Sequence, residues 1–264
     1  MEQEALRHNT GNVELAYSEW LGESPPVVFL HGITSGRITW LPRIELRGVQ
    51  RAYAFDARGH GDSGRTDSYR WTELGADAVS FLEGVCGEPA ILVGHSLGAM
   101  ISIYVAAERP DLVRTAFLID PPLYAQYGLR DERPEFERRR ALAGKPFDEL
   151  VAAGMPANQA ATISRLDGNA LTYVLDGPAF EGWDIDTLLR RMECPVLLEH
   201  GERGVGAGVA ASAIYEGELD RAVPLIKDCT VVQIKGSGHI PMVQQPEEFM
   251  RVASGFVQRI VSGT

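Results

Sequence analysis

Apolar residues along this chain fall into two alternating patterns. Pro26-Val27-Val28-Phe29-Leu30, Ala52-Tyr53-Ala54-Phe55, Ile91-Leu92-Val93, Ala116-Phe117-Leu118-Ile119, Val196-Leu197-Leu198 and Val231-Val232-Gln233-Ile234 are short runs with almost no polar residue. Such runs predict strands covered on both faces, the condition of a parallel sheet. Asn12 to Tyr17 instead alternates polar with apolar, as a half-buried strand does. Between the strands lie helical spacings: Leu74, Ala78, Phe81, Leu82 and Val85, and near the end Phe249, Val252, Phe256 and Ile260. Repeated strand-then-helix units imply right-handed crossovers and a doubly wound α/β sheet. From about Pro121 to Arg191 the rhythm breaks. Helix-like pieces there are separated by Gly144-Lys145-Pro146, Gly154-Met155-Pro156 and Asp176-Gly177-Pro178, and no strand run intervenes. This predicts a helical insertion between two strands rather than a separate domain with its own core.

Composition narrows the function classes. A chain of 264 residues is one large domain or two small ones, and 45% apolar with 23% charged residues excludes a disordered chain. Its net charge of −11 is a poor match for a polyanion, so no nucleic-acid partner is expected. The basic run Arg138-Arg139-Arg140 follows Asp131, Glu132, Glu135 and Glu137 and reads as a solvated mixed-charge helix face. Cys86, Cys194 and Cys229 are widely spaced and form no CxxC pair, which predicts reduced thiols. The first ten residues are polar, unlike a secretory leader, and no apolar run approaches the ~20 residues of a membrane span. The expectation is a cytoplasmic monomer or homodimer. No metal or cofactor is expected, since no ligand-spaced cluster occurs and Gly206-Ala207-Gly208 lacks a P-loop lysine.

The strongest chemical signal is Gly94-His95-Ser96-Leu97-Gly98, directly after strand Ile91–Val93 and before a helical stretch. A sharp strand-to-helix turn exposes its central side chain, and the glycines remove Cβ atoms that would collide there. Ser96 is therefore the candidate nucleophile, with the N–H of Leu97 available to a developing oxyanion. A serine hydroxyl needs a base. Of six histidines, His239 lies in the Gly-rich loop Gly236-Ser237-Gly238-His239-Ile240-Pro241 after the last strand, at the same sheet edge as Ser96. His31 and His60 sit in turns where local hydrogen bonding is their expected role. His95 is expected to point the other way along its turn, and His8 and His200 read as structural or exposed.

With these motifs together, the chain resembles the α/β-hydrolase superfamily over essentially its whole length. His31-Gly32-Ile33-Thr34, Asp56-Ala57-Arg58-Gly59-His60-Gly61-Asp62-Ser63, the GHSLG turn and the GSGH loop follow that family's order and spacing. The resemblance implies an eight-stranded, mostly parallel, doubly wound sheet with a helical lid inserted after the sixth strand. Residues 1–120 and 191–264 would be the core and 121–190 the lid. It also implies that the Ile33 N–H joins that of Leu97 in an oxyanion hole, while Asp56 and Arg58 brace the surrounding loops.

One part departs from the family pattern. Most relatives place the triad acid after the strand that follows the lid, but His200-Gly201-Glu202-Arg203-Gly204 puts a glycine at that position. Asp120, at the end of strand Ala116–Ile119, is the leading candidate, because some members carry the acid there. Glu202 and Glu199 are the alternatives, and a loop-bracing role for the Asp120-Pro121-Pro122 turn is the competing reading. The His31–Ser35 segment, the Ile-Asp-Pro-Pro acid and the acid-free loop are similar to those of the (acetamidomethylene)succinate hydrolase family.

The expected chemistry is two-step acyl transfer on a carboxylic ester or lactone of a small, moderately apolar molecule. Amide hydrolysis of an N-acyl dicarboxylate, C–C hydrolysis of a β-diketone and a non-turnover small-molecule receptor remain alternatives. Trp40, Tyr124, Trp183 and Ile240 are expected to line the pocket, and the lid, which carries Tyr124 and Trp183, also offers Tyr127, Phe147, Met155 and Phe180. An anionic substrate would need a pocket arginine, for which Arg37, Arg130, Arg133 and Arg165 are candidates.

Overall fold

Five of the six apolar runs become inner strands of one sheet in the computed structural model, which describes residues 5–127, 132–205 and 211–262. The sixth, Val231-Val232-Gln233-Ile234, expected to be covered on both faces, falls at the sheet's far edge, on a strand that is half-buried to exposed. The strands are β1 (Leu6–Asn9), β2 (Glu14–Trp20), β3 (Glu23–Leu30), β4 (Gln50–Phe55), β5 (Ala90–His95), β6 (Val113–Ile119), β7 (Val196–His200) and β8 (Cys229–Gln233). They lie in the order β1-β2-β4-β3-β5-β6-β7-β8. β1 and β2 pair antiparallel, as do β2 and β4, and the remaining pairs are parallel. β1, Leu-Arg-His-Asn, has no apolar run because it lies at the sheet's edge and is mostly exposed.

Period-two alternation distributes each inner strand between two cores. Val28, Leu30, Leu92, Leu118 and Leu198 face one side. Val27, Phe29, Ile91, Val93, Phe117 and Leu197 face the other. Helices α1 (Trp71–Phe81) and α2 (Leu97–Glu108) cover the first face. A 3₁₀ segment (Arg37–Arg47) and the long C-terminal helix cover the second. Each large side chain buried here contributes about 1.5–3 kcal/mol.

Between β6 and β7 the described residues form five α-helices: α3 (Arg133–Leu142), α4 (Phe147–Ala152), α5 (Ala157–Ile163), α6 (Gly168–Asp176) and α7 (Ile185–Arg191). Leu150, Ile163, Leu166 and Leu171 form a small apolar cluster closed by Tyr69 from the body of the protein. Val174, Ile185, Leu188 and Leu189 instead join the core of the sheet. The insertion is thus stitched to the sheet along its second half. Helices α8 (Glu218–Ala222), α9 (Pro241–Gln244) and α10 (Pro246–Ser262) complete the chain. Among the described residues, no helix is long and apolar enough to cross a membrane, and no His, Cys, Asp and Glu side chains cluster as metal ligands.

Candidate active site

Ser96 sits between β5 and α2 with φ 53° and ψ −117°, a conformation costly for a residue with a side chain. Its turn is so tight that a Cβ on Gly98 would lie 2.2 Å from the Leu30 carbonyl oxygen, and one on Gly94 2.4 Å from that of Gly98. The glycines let the helix pack directly on the strands. Among the described non-glycine residues, Ser96 and Asp120 have positive φ, and both belong to this site.

The structure brings Ser96, His239 and Asp120 into one hydrogen-bonded chain. Ser96 Oγ donates to His239 Nε2 at 3.0 Å, and His239 Nδ1 donates to Asp120 Oδ2 at 2.6 Å. Asp120 is fully buried and ends β6, the strand beside the one that carries Ser96. It accepts three further hydrogen bonds, from Gly201 N–H (3.1 Å), Ser212 Oγ (2.6 Å) and Ala213 N–H (2.6 Å). Burial would raise its pKa, but the bonds from His239, Ser212 and Ala213 outweigh that and hold it below the usual aspartate value. Glu202 points elsewhere, its Oε2 accepting the Gly236 N–H at 3.3 Å. Glu199 is wholly buried, neither of its carboxyl oxygens has a hydrogen-bond partner, and its pKa stands well above the usual value, from burial first and then from Asp120.

The backbone N–H of Leu97 heads α2 and has no acceptor in its own turn. Ile33 and Leu97 line the same cavity. His60 Nε2 donates to the Ile33 carbonyl at 2.6 Å, fixing that loop from behind. His31 accepts the Ala57 N–H at 3.0 Å and donates to the Gly32 carbonyl at 2.8 Å. Burial, and then the neighbouring His60, pushes His31 down to about 4. His95 does not point away from the site: its Nε2 donates to the backbone carbonyl of His239 at 2.8 Å, and its ring lines the cavity. Burial, followed by the charge of His239, lowers His95 to about 3, so it is a neutral support. Asp56 binds the backbone N–H and guanidinium of Arg37, and Arg58 pairs with Asp77, bracing the loops around the site.

Residues 27–252 match the alpha/beta hydrolase family. The chain belongs to this family. It is 28% identical to the 2-(acetamidomethylene)succinate hydrolase of Mesorhizobium japonicum over 272 residues, covering 95% of this chain and 94% of that one. It is 30% identical to an sn-1-specific diacylglycerol lipase of Xenopus laevis over 278 residues, covering 95% and 86%. The crystal structure of E-2-(acetamidomethylene)succinate hydrolase superposes with a TM-score of 0.77 at 25% identity, over 96% of this chain and 98% of that one.

Over Ser96 this α/β-hydrolase holds a cavity of about 670 Å³ between the sheet's edge and the helical insertion, within the usual size range for small-molecule sites. Tyr124 and Ile240 line it. Trp40 and Trp183 do not, and both expectations are corrected here. Trp40 is 1% exposed and packs on Phe29 in the core behind the sheet edge, with ring centres 5.1 Å apart. Trp183 packs at right angles to Trp71 with ring centres 5.3 Å apart, and Trp71 is the indole that reaches the cavity. Large aromatic rings near a motif are equally suited to core and cavity, and the spacing does not say which face they take.

The other lid aromatics named from the sequence stand off the cavity or outside the described residues. Phe180 packs on Trp71 and Phe147 faces solvent, while the Tyr127 side chain lies outside the described residues. Of the candidate arginines, Arg37 pairs with Asp56 and Asp62, Arg133 with Glu137, and Arg165 with Asp62, all away from the cavity. Arg130 lies outside the described residues. Among the described residues the arginines on the cavity wall are Arg43, which stands in no motif, and Arg139, which was expected on a solvated helix face and instead bonds the Thr34 hydroxyl on the wall.

Proposed function

We propose that this hydrolase cleaves a carboxylic ester or lactone of a small, moderately apolar molecule through an acyl-enzyme on Ser96. The observation that carries the reading is the Ser96–His239–Asp120 chain, with its 3.0 and 2.6 Å bonds, opening on a cavity walled largely by apolar side chains. In this reading His239 Nε2 takes the Ser96 proton as Oγ bonds to the substrate carbonyl carbon. The N–H groups of Ile33 and Leu97 hold the resulting oxyanion, a contribution of about 10²–10³ in rate per donor. His239 then protonates the leaving alkoxide, the C–O bond breaks, and water repeats the sequence to free the acid. Asp120 stays ionised throughout, fixing the His239 tautomer and stabilising the imidazolium.

The helical segment 121–190 acts as the lid on the core formed by 1–120 and 191–264, and its Tyr124 sets part of the acyl-pocket shape. Three free thiols, all with raised pKa from burial, suit a cytoplasmic setting. Amide hydrolysis of an N-acyl dicarboxylate is the second reading, favoured by the full-length similarity to the Mesorhizobium relative.

Turnover of p-nitrophenyl butyrate and labelling of Ser96 by a fluorophosphonate test the proposal. Ser96→Ala and His239→Ala should each lower kcat by about 10⁴–10⁶. An Asp120→Asn protein that keeps more than about a tenth of the wild-type rate would remove Asp120 from the triad, since neutralising such an acid typically costs about 10⁴. One slow turnover with a persistent adduct would indicate a receptor instead of an enzyme.

A further inference from the structure

We propose that Arg43 is an anion-binding group of the cavity, and that the substrate carries a carboxylate, remote from the scissile carbonyl, that docks there. This rests on the hydrolase reading above and adds to it the charge of the substrate.

Arg43 belongs to the 3₁₀ segment Arg37–Arg47 and lines the same cavity as Ser96. Its Nε and Nη2 donate to the Met242 carbonyl at 3.4 and 3.1 Å, and Nη1 donates to the Thr39 carbonyl at 3.0 Å. A guanidinium has five N–H donors, so one remains on Nη1 and one on Nη2. All of these partners are neutral. Among the described residues Arg43 pairs with no carboxylate, and burial lowers its pKa with no acidic group opposing it.

The other charged groups on the wall are already engaged. Arg139 pairs with Glu135 at 2.8 Å and bonds the Thr34 hydroxyl. Glu132 pairs with Arg203 at 3.1 Å and accepts the Tyr215 hydroxyl, and Glu218 accepts the Tyr215 N–H at 3.0 Å. A half-buried cation without a counter-charge is costly, and a carboxylate supplied by a ligand removes that cost. Two vacant N–H donors and a single unopposed charge match a carboxylate, which guanidinium binds in bidentate fashion. A phosphate dianion would leave negative charge without a partner.

Reach is consistent with one small molecule. Met242, the anchor of Arg43, is three residues past His239, hence at most about 11 Å away along the chain. Ile240 and Met242 line the same cavity as Ser96 and Arg43. The geometry therefore suits a carbonyl and a carboxylate joined by a short methylene chain, which keeps the middle of the substrate apolar.

The test compares mono-4-nitrophenyl adipate with its methyl ester, which has the same shape and no charge. Wild-type kcat/KM should favour the acid by about 10- to 100-fold. Arg43→Gln should abolish that ratio, and Arg43→Lys should keep part of it. Because the readout is a ratio, a general disturbance of the His239 loop through Met242 cancels. A wild-type ratio near one, or a ratio that survives Arg43→Gln, overturns the proposal. If Arg43→Gln does not fold, the wild-type and Arg43→Lys ratios decide on the same terms.

If neither ester turns over and the fluorophosphonate does not label Ser96, the hydrolase reading has failed, and calorimetry judges the anion site separately. Adipate should then bind Ser96→Ala protein and not the Ser96→Ala/Arg43→Gln double variant. Equal binding, no binding, or tighter binding of inorganic phosphate overturns it.

Discussion

Asp120 depends on residues far from it in sequence. Gly201, Ser212 and Ala213 donate to its carboxylate from the segment after β7, so that segment stabilises the charge of an acid carried by β6. Ser212→Ala removes a 2.6 Å donor to a buried charge and should cost about 1.5–3 kcal/mol of stability at neutral pH, read as a lower urea midpoint. Nothing in the sequence marks Ser212, 92 residues from its partner in a stretch of small residues without a pattern. Ser96 was legible because Gly94 and Gly98 flank its turn, whose tightness demands them, and His239 because it lies in a Gly-rich loop after the last strand. Asp120 was legible only through the family resemblance, which puts a glycine, Gly204, at the usual acid position and has some members carrying the acid after the strand that Asp120 follows. Arg43 was not legible at all: its importance lies in the carboxylate it lacks, and a missing partner leaves no trace in a sequence.

At the scale of elements, the turn from β5 into α2 couples the sheet to the site. Gly98→Ala would drive a Cβ to 2.2 Å from backbone oxygen, which only movement of β3 or α2 can relieve. The expected loss is about 1–3 kcal/mol, seen as a lower melting temperature, with a fall in p-nitrophenyl butyrate turnover as Ser96 shifts. The inner strands were readable because both of their faces are buried, so the apolar runs are continuous. β1 was not, because its exposed residues carry no apolar run, whereas β8 at the other edge keeps one despite being largely exposed. The helical insertion was recognisable by its breakers, yet its attachment was not. Which of its side chains turn to Trp71 and the sheet, and which to the cavity, depends on helix orientations set by tertiary packing.

Across the whole molecule, buried ionisable groups shape the response to pH. His31, His60 and His95 all have pKa values below the usual histidine value, burial being the largest cause in each. The unfolded chain takes up protons on these groups near pH 6.5 while the folded chain does not, so stability falls as pH drops from about 6.5 towards 4. Glu199 acts in the opposite sense. Its folded pKa is raised, so the unfolded chain gives up that proton first, and stability falls as pH climbs above about 4.5 towards the folded value. Glu199→Gln should therefore gain on the wild type between pH 5 and pH 8, measured as the difference in urea midpoints, and no gain would show that Glu199 is not held protonated. The same sheet that buries Glu199 also links the two ends of the candidate triad. Ser96 N–H bonds the Ile119 carbonyl at 2.9 Å and Asp120 N–H the Glu199 carbonyl at 2.7 Å, each one step beyond its strand's last paired residue. Nucleophile and acid are thereby parts of one stiff plate, whereas His239 arrives on a loop tethered through His95 and Gln244. The site thus joins two groups fixed on the sheet to one carried by a loop, and its alignment depends on how that loop is held.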